Sequence, residues 1–254
     1  MWKKHKHWID INKIKKIQSK MQAVILAAGR GTRLQPLTDS IPKAMVLVND
    51  KPMLEIIVRQ LAAVGIRDLI IVVHYRKEKI IDYFNDGSQL GLSIKYVDQQ
   101  QMKGSAHALQ QAASLVKGNT FICIACDSLF ETPLLQRLLN HRSTGVITCK
   151  EVDDGRRFGI LITEGERVVR IIEKPEQPPT NLANCSIYLF PQEIFTACSQ
   201  IQPGLKGEYI LTDAIQQLID KGIHFGYVKS EHFIDIGTPE QLAEAGKLAK
   251  KLGL

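Results

Sequence analysis

No stretch of about eighteen apolar residues occurs in the 254-residue sequence, so no membrane-spanning helix is expected. Residues 1–20 lack the continuous apolar core of a secretory signal. The five cysteines are odd in number and show no framework spacing, which argues against a disulfide scaffold. Cys123 and Cys126 form a CxxC inside the apolar run 121–126. Residues three apart on a strand face opposite sides, so neither a shared metal nor a redox pair is expected there. Both read as buried small hydrophobes, and a reducing cytoplasm fits this usage. Internal repeats, low-complexity stretches and a C-terminal hexapeptide pattern are also missing, which excludes a β-helix domain. Two nucleotide fingerprints are absent as well. Leu34 stands where the third glycine of GxGxxG would be, and no GxxxxGK[ST] occurs.

Net charge, too, is nearly absent from the body of the chain. Of 33 Lys and Arg, seven lie in residues 1–20, beside one of the 26 acids (Asp10); the remaining 26 bases and 25 acids almost cancel. The total of +7 therefore belongs to the extension, and the body offers no electrostatic case for nucleic acid. Ile11, Ile14 and Ile17 lie among those lysines at the spacing of a weak basic amphipathic helix. Because Met21 directly precedes the first apolar run, residues 1–20 read as a disordered basic extension ahead of the functional start. Residues 21–254 read as one domain. With 44% hydrophobic and 23% charged residues, the chain has the composition of a soluble globular protein able to bury a core.

Apolar runs and helical spacings do alternate. Strands are expected at 22–26, 68–73, 92–97 and 120–125, and helices at 52–64, 77–84 and 105–116. This is the pattern of a doubly wound α/β sheet. After residue 142 the texture changes. Strands follow at 145–150, 158–163, 167–173, 183–190 and 223–229, with helices at 191–198, 211–221 and 239–250. The expectation is a doubly wound mixed, mostly parallel sheet, with halves at 21–142 and 143–254.

Three local patterns carry chemistry. Leu26-Ala27-Ala28-Gly29-Arg30-Gly31-Thr32-Arg33 follows the first strand. Glycines at 29 and 31 let backbone N–H groups turn inward on a polyphosphate, Arg33 adds a guanidinium fork, and Lys43 follows behind Pro42. Asp127 ends a buried strand, and Asp235 lies in Asp235-Ile236-Gly237-Thr238-Pro239-Glu240. Two carboxylates converging on a triphosphate suit Mg²⁺, which prefers one or two carboxylates plus phosphate oxygens. Taken alone, each aspartate suits a turn or helix cap equally well.

The whole segment LAAGRGTRLQPLTDSIPKAM resembles the signature of the sugar-1-phosphate nucleotidylyltransferases, whose members include glucose-1-phosphate thymidylyl- and uridylyltransferases and mannose-1-phosphate guanylyltransferases. Ala44 stands where that family usually has proline. Further segments resemble the family in order. Ala125-Cys126-Asp127 has Cys126 for the glycine of the "GD" metal motif, and Asp235 to Glu240 matches "D-x-G-T-P-E". Tyr96 to Gln99 with Gly104 to Leu109 resembles "Y-V-x-Q … G-T-A-x-A-L". Arg157-Phe158-Gly159, Glu173-Lys174-Pro175 and Asn184 to Tyr188 resemble "R-Y/F-G", "E-K-P" and "N-x-G-I-Y", with Ser186 for the glycine. Glu208 to Asp213 matches "E-Y-x-L-T-D".

The resemblance implies a Rossmann-like nucleotide-diphospho-sugar transferase fold. The activity it implies joins a nucleoside triphosphate, UTP or dTTP first, to a sugar 1-phosphate. Mannose with GTP, a heptose phosphate or phosphocholine acceptor, and a non-catalytic subunit of the same fold stay open. Arg33, Lys43, Asp127 and Asp235 would be catalytic, and the two aspartates would hold Mg²⁺. Leu26, Ala27, Ala28, Gly29, Gly31, Gln99, Gly104 and Ser105 would bind the nucleotide, Gln99 reading the base with Gln100 and Gln101 as neighbouring candidates. Gly159, Glu173, Lys174 and Asn184 would bind the sugar phosphate. Ser105 is expected to cap its helix, and His107 reads as a helix residue without a partner. Members of the family are often multimeric, so self-association is expected.

Overall fold

The computed structural model describes residues 21–204 and 207–254. The expectations for residues 1–20 lie outside that range. One nine-stranded sheet, in the order β5-β4-β1-β6-β11-β8-β12-β10-β9, organises the chain. Its first part is parallel: β1 (Gln22–Leu26) lies between β4 (Asp68–Val73) and β6 (Thr120–Ala125), and β5 (Ser93–Asp98) is the outer strand. The crossovers carry the helices α1 (Met53–Ala63), α2 (Lys77–Phe84) and α3 (Ser105–Gln111).

β1, β4 and β6 are apolar along most of their length because helices cover both faces, whereas the outer strand β5 (SIKYVD) is only partly buried. Ala23, Ile25, Ile122 and Ile124 point into one core layer with Leu54, Ile57 and Leu61 of α1. Val24, Phe121 and Cys123 point into the other, with Leu109 of α3. Cys126 belongs to the first layer and Cys123 to the second, so the CxxC pair does face opposite sides.

The second half adds β8 (Gly145–Glu151), β9 (Gly159–Glu164), β10 (Arg167–Glu173), β11 (Leu182–Pro191) and β12 (Phe225–Lys229), with α4 (Pro133–Leu139), α5 (Ile194–Gln200) and α6 (Leu211–Asp220). Here antiparallel contacts dominate. β11 runs against β6 and β8, β10 against β9 and β12, and only β8 and β12 are parallel. No helix separates β9 from β10, so these neighbours reverse direction without a crossover. β9 returns to the first part of β11, with Ala183 opposite Ile160.

Four strands of two or three residues had no legible period: β2 (Leu47–Val48), β3 (Lys51–Pro52), β7 (Ser128–Phe130) and β13 (Phe233–Asp235). β7 pairs with β13 in a two-stranded sheet across about a hundred residues of chain, and the closing helix α7 (Pro239–Leu252) follows. The expected helix 105–116 stops at Gln111 and continues as turns.

An aromatic cluster fills the core layer beneath the sheet centre. Phe121 stacks on Phe195 at 5.1 Å and meets Phe190 edge-on at 6.1 Å. Phe121 is fully buried. Phe121→Ala is expected to cost about 3–5 kcal/mol by leaving a cavity among rings that cannot collapse. The urea midpoint of unfolding checks it, and a shift within error would show that the cluster repacks.

Candidate functional site

The C-terminal ends of β1, β4, β5 and β6 lie together at one edge of the sheet. Leu26 is level with Val72 and Ala125, and Val73 with Asp98. Everything that follows these strands therefore faces a common crevice, the usual ligand position of an open α/β sheet. Two backbone bonds set its floor: Cys126 N–H donates to Leu26 O at 3.1 Å and Ala27 N–H to Val72 O at 2.8 Å.

Two cavities, each of about 470 Å³, meet there. Leu26, Arg33, Ser105, Ala125 and Asp127 line both and form the shared wall. The first cavity is completed on the side of the glycine loop by Ala28, Gly29, Gly31, Lys43, Gln99, Gly104 and Cys126. The second is completed on the opposite side by Gly159, Glu173, Lys174, Asn184 and Asp235. Of the site residues named from the sequence, only Ala27 lines neither cavity: it is 1% exposed, part of the core, and its N–H is taken by Val72.

Asp127 and Asp235 are far apart in sequence but adjacent in space. Pairing of β13 with β7 sets Asp235 opposite Ser128, and Ile236 N–H donates to Asp127 O at 2.9 Å. Lys43 Nζ forms an ion pair with Asp127 Oδ2, and the lysine is 7% exposed. Burial alone would raise the Asp127 carboxyl and lower the Lys43 ammonium. Their mutual attraction outweighs burial, so Asp127 is held below and Lys43 above its ordinary value. Asp235 takes the other side of this balance. Burial first, then the charge of Asp127, push it up to about 6.

Arg33 reaches the same place over Gly237. A Cβ on Gly237 would lie 2.8 Å from an Arg33 guanidinium nitrogen, so a larger residue there would push the fork aside from its place near Asp235. Gly31 has φ +72°, and a Cβ there would meet the Lys43 side chain at 2.9 Å. Both glycines thus hold open the approach of a cation to the crevice. Thr238 caps α7 by accepting from Gln241 N–H at 3.3 Å, while Gln241 Oε1 accepts from Gly237 N–H at 2.9 Å.

In the second cavity several side chains are already engaged. Glu173 pairs with Lys174 at 3.0 Å and accepts from Thr212 Oγ1 at 3.1 Å. Asn184 accepts from Ser186 N–H at 3.0 Å and donates to Tyr188 Oη at 2.7 Å. These bonds brace the register shift of β11 between Asn184 and Tyr188, where Ser186 sits at φ +54°. The residue before Asn184 faces β9, which brings Gly159 and Asn184 to one wall.

Ser105 departs from its expected role. Gly104 precedes α3, and the Ser105 hydroxyl accepts from Leu211 N–H at 3.0 Å. It therefore satisfies the first turn of α6 instead of its own helix. His107 does have a partner: its Nδ1 lies 3.1 Å from Gln99 Nε2.

Thr212, within the segment matching E-Y-x-L-T-D, fixes Glu173, a contact between residues 39 positions apart. A further group was not legible. Glu131, 5% exposed, accepts from Arg137 Nη2 at 2.6 Å, Ser230 Oγ at 2.9 Å, Glu231 N–H at 3.0 Å and His232 N–H at 3.1 Å. It fastens the segment that opens β13 and so places Asp235. Only an acid after an apolar strand marks it in the sequence; its partners lie about a hundred residues on.

Among the described residues no cluster of three or more His, Cys, Asp or Glu side chains surrounds a metal position, and no helix is long and apolar enough to cross a membrane.

Similarity to known proteins falls on these same elements. Residues 22–251 match the family described as Nucleotidyl transferase. The chain is 39% identical over 233 residues to UTP–glucose-1-phosphate uridylyltransferase AglF of Haloferax volcanii, covering 89% of this chain and 95% of that protein. It is 35% identical to the bifunctional protein GlmU of Methanococcus aeolicus, of which it spans about half (53%). Among solved structures, a putative glucose-1-phosphate thymidylyltransferase from Bacillus anthracis superposes with a TM-score of 0.82 at 27% identity, covering 91% of this chain and 95% of that one. A UDP-glucose pyrophosphorylase complexed with UDP-glucose superposes with a TM-score of 0.79 at 26% identity, covering 91% and 98%.

The Glu131 anchor is testable without any ligand. Burial would raise this carboxyl, but the donors around it hold it below its ordinary value of 4.5. Glu131→Gln is expected to cost about 1–3 kcal/mol at neutral pH. A depressed carboxyl stabilises fully above the unfolded-state value and loses that contribution as pH falls through the folded-state value. The gap between wild type and variant should therefore begin to narrow as pH falls below about 4.5 and keep narrowing as the folded-state carboxyl protonates. Denaturant titrations at about pH 7, 4 and 3 read it; a gap as wide in acid as at pH 7 would refute the role of the charge.

Proposed function

Because the chain belongs to the Nucleotidyl transferase family, we propose that it makes a nucleotide-sugar, transferring a nucleoside monophosphate from UTP or dTTP to a sugar 1-phosphate with release of pyrophosphate. Two cavities sharing a wall of Arg33 and Asp127 are the observation that carries this reading. A two-substrate transfer needs two sites that meet where the bond is exchanged. Glucose 1-phosphate is the first acceptor to test, since the relatives named for a sugar phosphate act on that one. The cytoplasmic location belongs to the same reading, since both substrates are charged metabolites.

The reaction is an in-line displacement. An oxygen of the sugar phosphate attacks the α-phosphorus, forming one O–P bond, while the bond to pyrophosphate breaks and its electrons leave with that group. The attacking phosphate is already ionised at neutral pH, so no general base is needed. Catalysis then consists of positioning and charge neutralisation. Arg33 and Lys43 would hold the triphosphate and balance the charge gathering on pyrophosphate. Lys174, exposed beside Glu173, would hold the acceptor phosphate as a compact point charge. Gln99 would meet the base, and Gly159, Glu173 and Asn184 would line the sugar.

Asp127 and Asp235 would hold Mg²⁺. Asp127 and Asp235 face the same crevice, the first paired with Lys43 and the second pushed up to about 6 by burial and by its neighbour's charge. Two carboxylates, with phosphate and water oxygens completing the shell, suit that ion. When bound, it supplies charge stabilisation on the phosphate oxygens.

A matrix of nucleoside triphosphates against sugar 1-phosphates, with pyrophosphate release as readout, tests the activity. UTP or dTTP with a hexose 1-phosphate is expected to be turned over best. No release with any pair would overturn the reading in favour of a non-catalytic role. Asp127→Asn is expected to lower turnover by about a hundredfold or more at saturating Mg²⁺, with the fold retained by circular dichroism. Near-normal turnover in that variant would remove Asp127 from the metal site.

A further inference from the structure

Gln99 is 3% exposed and sits just past β5, where its N–H donates to Val73 O at 2.8 Å. Its amide nitrogen lies 3.1 Å from the Gly104 carbonyl oxygen and 3.1 Å from Nδ1 of His107, on the first turn of α3. Together these contacts settle which way the amide faces. Turned over, Gln99 would set Oε1 against the Gly104 carbonyl, two acceptors at hydrogen-bond distance with no proton between them. Nε2 therefore faces that side and uses both its hydrogens, one on Gly104 O and one on His107 Nδ1.

The histidine is fixed by the same logic. A ring that accepts at Nδ1 is neutral and carries its proton on Nε2. Its surroundings favour the neutral form, since burial and then the positive charge of Lys103 lower its pKa. Gln111 lies on the far side: its amide donates to the backbone carbonyl of His107 at 3.0 Å, and the same nitrogen stands 3.4 Å from the ring Nε2.

The consequence lies on the other face of the Gln99 amide. Gln99 lines the nucleotide cavity, and among the described residues no donor reaches its Oε1. The cavity is thus shown a fixed acceptor. Uracil and thymine carry N3–H, whereas cytosine has a lone pair at N3. A freely turning amide could serve both; a locked one attracts the first and repels the second.

We propose that His107 is a positioning residue that locks the Gln99 amide with its oxygen toward the cavity and so makes the site select pyrimidines bearing a ring N–H. The inference rests on the reading of Gln99 as the residue that meets the base.

The measurement is kcat/KM for UTP and for CTP with glucose 1-phosphate, in wild type, His107→Leu, His107→Asn and Gln99→Leu. The ratio of the two values is independent of the fraction of folded enzyme, so partial misfolding does not move it. His107→Leu is expected to lower the UTP/CTP ratio about tenfold, the weight of one hydrogen bond to a positioned group. The change should fall on KM for UTP, with kcat and the KM for the sugar phosphate unaltered. His107→Asn, whose Oδ1 can accept where Nδ1 does, should keep most of the selectivity. If Gln99→Leu abolishes selectivity while His107→Leu stays within about twofold of wild type, the inference fails and the reading of Gln99 stands. If neither variant moves the ratio, both fall. An Asn variant as unselective as the Leu variant assigns the effect to packing and overturns the inference too.

Discussion

Two carboxylates side by side at the edge of a sheet repel one another, and most features of the crevice answer to that repulsion. Lys43 is drawn inside to pair with Asp127 although burial disfavours its charge. Arg33 is brought across Gly237 to lie near Asp235. Glu131, itself buried and charged, fastens the segment that delivers Asp235 with four donors of its own. Burial, and then the charge of Asp127, still leave Asp235 raised. The protein holds the two acids together in advance, so the cost of bringing like charges close is met during folding.

The parts of the fold that were legible are those with a period. β1, β4 and β6 are continuous apolar runs because both their faces are buried, and α1 shows its apolar stripe as Leu54, Ile57 and Leu61. β7 and β13 are three residues each, too short for any period, yet their pairing brings Asp235 to Asp127. Resemblance to a family named both aspartates; only the backbone shows why they meet. Ser105 illustrates a second limit. Serine before a helical run signals a cap, and the hydroxyl does cap, but it serves α6 across 106 positions. The expected cap of its own helix is not made, because the partner of the hydroxyl is set by tertiary structure.

His107 marks a third limit of the same kind. On its own helix it has only apolar and amide neighbours, and nothing in the sequence singles it out. Its role depends on a carbonyl three residues upstream and a glutamine eight residues upstream, brought together because β5 turns directly into α3. Asn184 and Glu173 show the converse. Both were expected to offer free polar atoms to a sugar, and both have those atoms bound to Tyr188, Ser186, Thr212 and Lys174. Such braced groups lose less side-chain entropy on meeting a ligand, because packing has already fixed their rotamers.

The sheet order explains why the two cavities share a wall. β6 lies at the centre, parallel to β1 on one side and antiparallel to β11 on the other. The parallel side places β-to-helix turns at the crevice, giving the glycine loop and Gln99. The antiparallel side places β11 with its register shift, together with β9 and β10, giving Asn184, Gly159 and Glu173. Asp127 follows β6 itself and so belongs to both. In the proposed reaction a group that stabilises charge while a bond passes from one substrate to the other would have to sit where the two sides meet, and Asp127 sits there, on the wall that both cavities share.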